Sequence, residues 1–247
     1  MCRGAVLAAL LSVLLLTPCV AAGYGESFTR LVDLQTAHTL PRAAYALGVR
    51  VGPDGSLTTV MAVGVASYLN VGVSYGAGNA IGSGEVDWDN EVEFEFKLRL
   101  AEEFDVVPGL AVGYDSRGYG TQIGDGGYAK ASEGIYVAAV KTSPFSDYWQ
   151  FHGGVSRTLE LERAEPDFFL GVTGRFSQEF SLVVEYSLGE ERDTEGGSDK
   201  TGFLNAGLRW VFSEQLELAL LLRNIVGPSG STERHSRALT LAYYDSF

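Results

Sequence analysis

The residue types best suited to proton transfer or metal ligation in this sequence are its three histidines, His38, His152 and His235. His152 and Ser156 fall on the same face of an alternating segment. Four residues at about 3.3 Å each put their Cα atoms roughly 13 Å apart. A nucleophile and its base must approach to about 2.6–3.2 Å, so this pair is not a Ser–His couple. His38 precedes the first clear strand, and His235 lies in a polar connection. A hydrolase would need His152 beside an acid or serine from a neighbouring strand. Both cysteines, Cys2 and Cys19, fall in the first 22 residues, so no Cys/His set has zinc spacing, and no phosphate-cradling glycine loop is present. The expectation is no catalytic residue, no cofactor and no metal.

Charge spacing says more. In Glu91-Val92-Glu93-Phe94-Glu95-Phe96-Lys97-Leu98-Arg99-Leu100 every odd residue is ionic and every even one apolar. A strand sends successive side chains to opposite faces, so one face here is wholly charged. The same face of other segments carries Arg50, Asp115, His152, Arg175, Glu185, Arg209, Glu217 and Arg223. With Glu91, Glu93, Glu95, Lys97 and Arg99 these are the candidate lumen-lining residues. They suit a conduit with charge-selective walls, or a salt-bridged plug that closes a small barrel. The loop acids Glu85, Asp87, Asp89, Glu190, Glu191, Asp193 and Glu195 fit a solvated, repulsive surface, with divalent-cation binding near lipopolysaccharide as the other reading.

The elements that must position these residues recur along the chain. Tyr45, Leu47, Val49 and Val51 alternate with Ala44, Ala46, Gly48 and Arg50. Leu69, Val71, Val73 and Tyr75 alternate with Asn70, Gly72, Ser74 and Gly76. The pattern continues to Leu239, Leu241 and Tyr243 near the end. It predicts twelve strands of about 9–11 residues, the length a tilted strand needs to cross a bilayer. Connections alternate between short turns (around 67–68, 101–105, 143–147, 177–179 and 213–215) and longer polar loops (78–90, 117–131, 159–166, 189–201 and 226–236). The turn at Pro53–Ser56 is short where a long loop is due. The bulky face is almost uncharged, while the other holds glycines and ions that would make a poor dry core. Tyr114, Trp149, Tyr186, Trp210, Phe212 and Tyr243 sit near strand ends, as an interfacial girdle requires. The fold class is therefore all-β, a transmembrane antiparallel up-and-down barrel of about twelve strands. A secreted soluble sandwich or lipocalin-like barrel is the alternative.

Arg3, the apolar run Ala5–Leu16 and the small residues through Ala22 read as a secretory signal peptide, residues 1–22. Residues 23–41 are a lead-in and 42–247 the barrel. Cys19 follows Leu16-Thr17-Pro18, which also admits lipidation in place of simple cleavage. The net charge of −13 becomes −14 once Arg3 is lost with the leader, which excludes a basic nucleic-acid footprint. The chain of 247 residues carries 31 glycines, far above the usual share. It ends in an alternating segment closing on Phe247.

Three motifs are more specific: Gln35-Thr36-Ala37-His38-Thr39-Leu40-Pro41, the stretch Tyr75–Trp88 with Ile81-Gly82-Ser83-Gly84, and Pro108–Gly120 with Tyr114-Asp115-Ser116-Arg117-Gly118-Tyr119-Gly120. They resemble the YjbH-type outer-membrane proteins associated with exopolysaccharide production. Gln35 stands where that pattern has Pro, Arg42-Ala43 where it has Gly, and this chain is far shorter than the large two-barrel members. The C-terminal Phe247 resembles the signature that the barrel-assembly machinery recognises, with Asp245 in place of an apolar residue. The resemblance implies an outer-membrane barrel with polysaccharide as a partner. Bilayer lipid and lipopolysaccharide are the other expected partners. The expected role is a non-enzymatic small channel or export accessory, or a structural or adhesive barrel acting through its loops.

Overall fold

A computed structural model describes residues 29–123, 127–160, 165–188, 190–192, 198–200, 202–213, 215–226 and 235–247. The leader, with Cys19, lies outside the described residues. In chain order the strands are β1 (Ala44–Val51), β2 (Leu57–Ala66), β3 (Leu69–Gly78), β4 (Asp87–Trp88), β5 (Glu93–Ala101), β6 (Gly109–Asp115), β7 (Tyr119–Ile123), β8 (Gly127–Lys130), β9 (Gly134–Ser143), β10 (Ser146–Arg157), β11 (Asp167–Arg175), β12 (Phe180–Ser187), β13 (Glu190–Arg192), β14 (Ser198–Lys200), β15 (Phe203–Ser213), β16 (Leu216–Val226) and β17 (Ser236–Ser246). Twelve of them form one closed antiparallel circuit: β1, β2, β3, β5, β6, β9, β10, β11, β12, β15, β16 and β17, with β17 returning to β1. The strand count is the one the alternation predicts. Closure leaves no unpaired barrel edge, which a bilayer core demands.

Alternation sorts the side chains as expected. On β5, Phe94 and Phe96 are 56% and 45% exposed, whereas Glu95 and Lys97 are 4% and 0% exposed. A barrel with an outward apolar band and an inward ionic wall is stable only with lipid outside. Aromatic clusters mark both interfaces. At the short-turn end Phe176, Phe180 and Trp210 stack in sequence, Phe212 packs tilted on Trp210, and Tyr45 packs on Phe247 and Tyr243. At the long-loop end Tyr75 stacks on Trp88. Short turns are periplasmic and long loops extracellular in such barrels.

Close packing inside the wall depends on a few small residues. A Cβ on Gly113 would lie 2.4 Å from both the Tyr136 hydroxyl and the Phe96 carbonyl oxygen. Only glycine lets the buried Tyr136 ring cross there. At the long-loop end, β7, β8, β13 and β14 form a separate four-stranded sheet, whose Tyr119 and Lys130 reach Arg30 and Asp33. It is built from the predicted loops 117–131 and 189–201.

Candidate functional site in the barrel lumen

The lead-in does not stop at the barrel's edge. Residues 29–41 run inside it, and Leu31 to Ala37 are all buried. The segment rises to a tight turn and comes back: Arg30 and Gln35 bridge antiparallel, Leu31 N–H donates to Leu34 O at 2.8 Å, and Thr36 N–H to Thr29 O at 3.1 Å. Leu40 and Pro41 then leave past Gly64 of β2, where any Cβ would strike the Pro41 carbonyl oxygen.

A turn of this kind has few internal hydrogen bonds, so its backbone groups need outside partners. The wall supplies them. The Glu185 carboxylate accepts from the N–H groups of Val32, Asp33 and Leu34 at 2.9–3.2 Å. Arg209 donates to the carbonyls of Arg30 and Leu31. Lys97 Nζ donates to Thr29 O at 2.6 Å and His38 O at 3.3 Å. Asn70 accepts from Leu40 N–H at 3.1 Å, and Glu133 from Gln35 N–H at 3.1 Å. Burial pushes the Glu133 carboxyl up to about 8; Asp115 adds to this and Arg30 opposes it.

Two side chains of the turn point to opposite arcs of the wall. Arg30 meets Glu95 at 3.2 Å and the Asp115 carboxylate, on β5 and β6. Asp33 meets Arg50 of β1 at 2.8 Å and Arg223 of β16 at 2.9 Å, with Lys130 at 3.7 Å. Burial pushes the Asp33 carboxyl up, but Arg223, Arg50 and Lys130 outweigh it and hold the group well below the usual carboxylate range. The ring of Tyr119, on the extracellular hairpin, lies 4.8 Å from the Arg50 guanidinium and 5.3 Å from that of Arg223. The turn also has an apolar side: Leu31, Val32 and Leu34 join Tyr136, Phe169, Val183 and Leu221 in one cluster. Near the periplasmic end Ala37 packs on Ala111 and Val140. A Cβ on Gly171 would fall 2.2 Å from Leu31 Cδ1, so the wall is recessed where this leucine seats.

The candidates from sequence thus divide. Arg50, Glu95, Lys97, Asp115, Glu185, Arg209 and Arg223 converge on the N-terminal segment. Glu217 sits behind Arg209, with its carboxylate 3.7 Å from Arg209 Nε. His152 is buried in the lumen; its Nε2 faces Thr173 Oγ1 at 3.2 Å and its ring sits 6.0 Å from that of His38. Neither an acid nor Ser156 bonds it. Four candidates are placed differently. Glu91 is exposed and lies outside β5, because the chain first folds back to pair β4 with β3 and enters the wall only at Glu93. Glu93 itself stands half-buried at the extracellular mouth. Arg99 and Arg175 sit at the periplasmic rim, where the inward face meets the short turns: Arg99 pairs with Glu102 at 2.7 Å and Arg175 donates to Asp147 O at 3.4 Å. The acidic loop residues Asp193 and Glu195 lie outside the described residues, and among the described residues no group of acids and histidines could hold a metal.

Sequence reasoning missed Arg30, Asp33, Arg117, Tyr119, Lys130 and Glu133. It placed Asn70 and Asn205 on the inner face without assigning them work. Asn205 Nδ2 donates to Glu185 at 2.7 Å and so orients the carboxylate that caps the turn.

No family model matches the sequence. No curated protein matches it. Solved structures do. The KdgM porin in complex with disordered oligogalacturonate is 8% identical, with 83% of this chain and 99% of that one covered and a TM-score of 0.52. The NanC porin is 11% identical over 83% of this chain and 98% of that one, at 0.46. The COG4313 outer membrane channel from Pseudomonas putida F1 is 13% identical over 85% and 98%, at 0.46. At such identities the likeness to KdgM is one of fold. Together with the apolar belt and the closed circuit, it makes this chain a bacterial outer-membrane β-barrel of porin-like architecture.

Proposed function

We propose that this chain is an outer-membrane channel held shut by its own N-terminal segment, and that it serves as an accessory in export of an envelope polysaccharide. One observation carries the channel reading. Although Arg209 also pairs with Glu217 and Arg117 with Glu95, the side chains of Arg50, Glu95, Asp115, Glu185, Arg209 and Arg223 all make polar contacts with a separate piece of chain that continues into the wall through residues 42–43. A barrel closed for good needs no such insert, since facing Arg and Glu side chains would pair directly. Polar bonds to a removable segment have water as their alternative partner, so withdrawal leaves a hydrated ionic passage. The polysaccharide part rests on the resemblance of Gln35–Pro41, Tyr75–Trp88 and Pro108–Gly120 to YjbH-type proteins.

The test is planar-bilayer recording on the full chain and on a variant lacking residues 29–41. The full chain is expected to stay quiet and the variant to show steady unit conductance. A folded, inserted deletion variant with no conductance would overturn the channel reading. The four-stranded sheet at the long-loop end favours a second reading, adhesion through the extracellular loops. Replacing residues 189–201, which hold none of the plug's described partners, by a short turn would then abolish surface binding while conductance is unchanged.

A further inference from the structure

The extracellular mouth holds a cleft of about 310 Å³. That volume is at the lower end of small-molecule sites. Its lining is divided by charge. On one side are Arg50 and Arg223, with the Tyr119 ring against both guanidinium groups. On the other are Asp87, Asp89 and Glu93, carried by β4, the residues after it, and the start of β5. Asp54 stands on the short turn at the rim, and Arg117 between the two sides is engaged with Ser74 at 2.8 Å and Glu95 at 3.7 Å.

Arg50 and Arg223 are also the two groups that hold Asp33 from the lumen side. The cleft therefore reaches the plug's main anchor from outside. The plug shows which chemistry this wall accepts. It offers a cation, Arg30, to the acidic arc, and an anion, Asp33, to the basic arc three residues later. In the cleft, too, a lone anion would gain the arginines and be repelled by the carboxylates, and a lone cation the reverse. Only a solute carrying both charges is favoured on both sides.

We infer that the mouth cleft binds a small dipolar solute, of the amino-acid or short-peptide class, whose carboxylate competes with Asp33 for Arg50 and Arg223 and so loosens the plug. The loosening rests on the channel reading above; the binding and the competition do not.

Calorimetric titration of the detergent-solubilised full chain tests this. The probes are the ω-amino acids from 4-aminobutyrate to 6-aminohexanoate, with butyrate, hexanoate and the matching alkylammonium ions as single-charge controls. At least one ω-amino acid is expected to bind ten-fold or more tighter than its controls. Asp33→Asn should tighten that binding several-fold by removing the internal competitor. Glu93→Gln, which touches the cleft and not the plug, should bring it down to the level of the carboxylic acid alone. Equal binding of butyrate and 4-aminobutyrate, or no binding by any probe at millimolar concentration, would overturn the site. Tight binding that ignores Asp33→Asn would overturn the competition. Failure of the 29–41 deletion to conduct would leave both results standing, so the two readings fail separately.

Discussion

Asp33→Asn isolates the electrostatic anchor of the plug. The side chain keeps its shape and can still accept a hydrogen bond, but Arg50 and Arg223 lose the charge between them. Asp33 is 1% exposed and Arg223 3%, so water cannot easily replace the lost partner. Removing one member of a buried ion pair costs about 3–5 kcal/mol. Arg50 is partly open to the cleft at 14% exposure, which argues for the lower end, about 3 kcal/mol. At 1.36 kcal/mol per tenfold, that is a shift of roughly a hundredfold in the closed-to-open ratio. Single-channel recording measures it as open probability. Asp33→Glu, which keeps the charge, should recover part of the closure. Glu102→Gln breaks only a rim pair in which the acid is 75% exposed, and it should change nothing measurable. The reasoning is refuted if Asp33→Asn is as quiet as the parent while deletion of 29–41 conducts. The Glu185 cap and the apolar contacts of Leu31, Val32 and Leu34 would then hold the plug without its ion pairs.

Three further outcomes follow from the same structure. Glu133 lies in the loop leading into β9, and burial raises its carboxyl to about 8. The plugged state then holds a proton that the withdrawn state has lost, so this contribution to closure is complete below the ordinary carboxylate range and is lost as pH rises to about 8; open probability should climb from about pH 5 to about pH 8 and level off above, and Glu133→Gln should flatten the rise. Gly113→Ala places a methyl group 2.4 Å from the Tyr136 hydroxyl and the Phe96 carbonyl oxygen, an overpacking cost of about 1–3 kcal/mol, read as a lower urea midpoint for the folded barrel. Leu220→Arg puts a charge on a lipid-facing position that is 54% exposed; it should weaken folding into vesicles by about 2–4 kcal/mol if Leu220 lies near the midplane, and an unchanged urea titration would count against the bilayer placement.

How far the sequence could carry this depends on which signals are local. Period-2 alternation is enforced residue by residue along each strand, because one face meets lipid and the other does not. Strand number, side-chain parity and the ionic wall were therefore all readable from segments such as Glu93–Leu100. Strand starts are less local: Glu91 fits the alternation as well as Glu93, and only the pairing of β4 with β3 takes it out of the wall. The plug is not local at all. Residues 29–41 have no strand period, and their partners lie 17 to 190 residues away, from Asp33 with Arg50 to Asp33 with Arg223. In the fold, Arg50 and Arg223 face one end of the turn and Glu95 and Asp115 the other, and charges of opposite sign held apart across a lumen require something dipolar between them. Water and salt can serve that role in an open pore. In this chain Arg30 and Asp33 serve it, and their three-residue spacing is what lets one tight turn reach both walls.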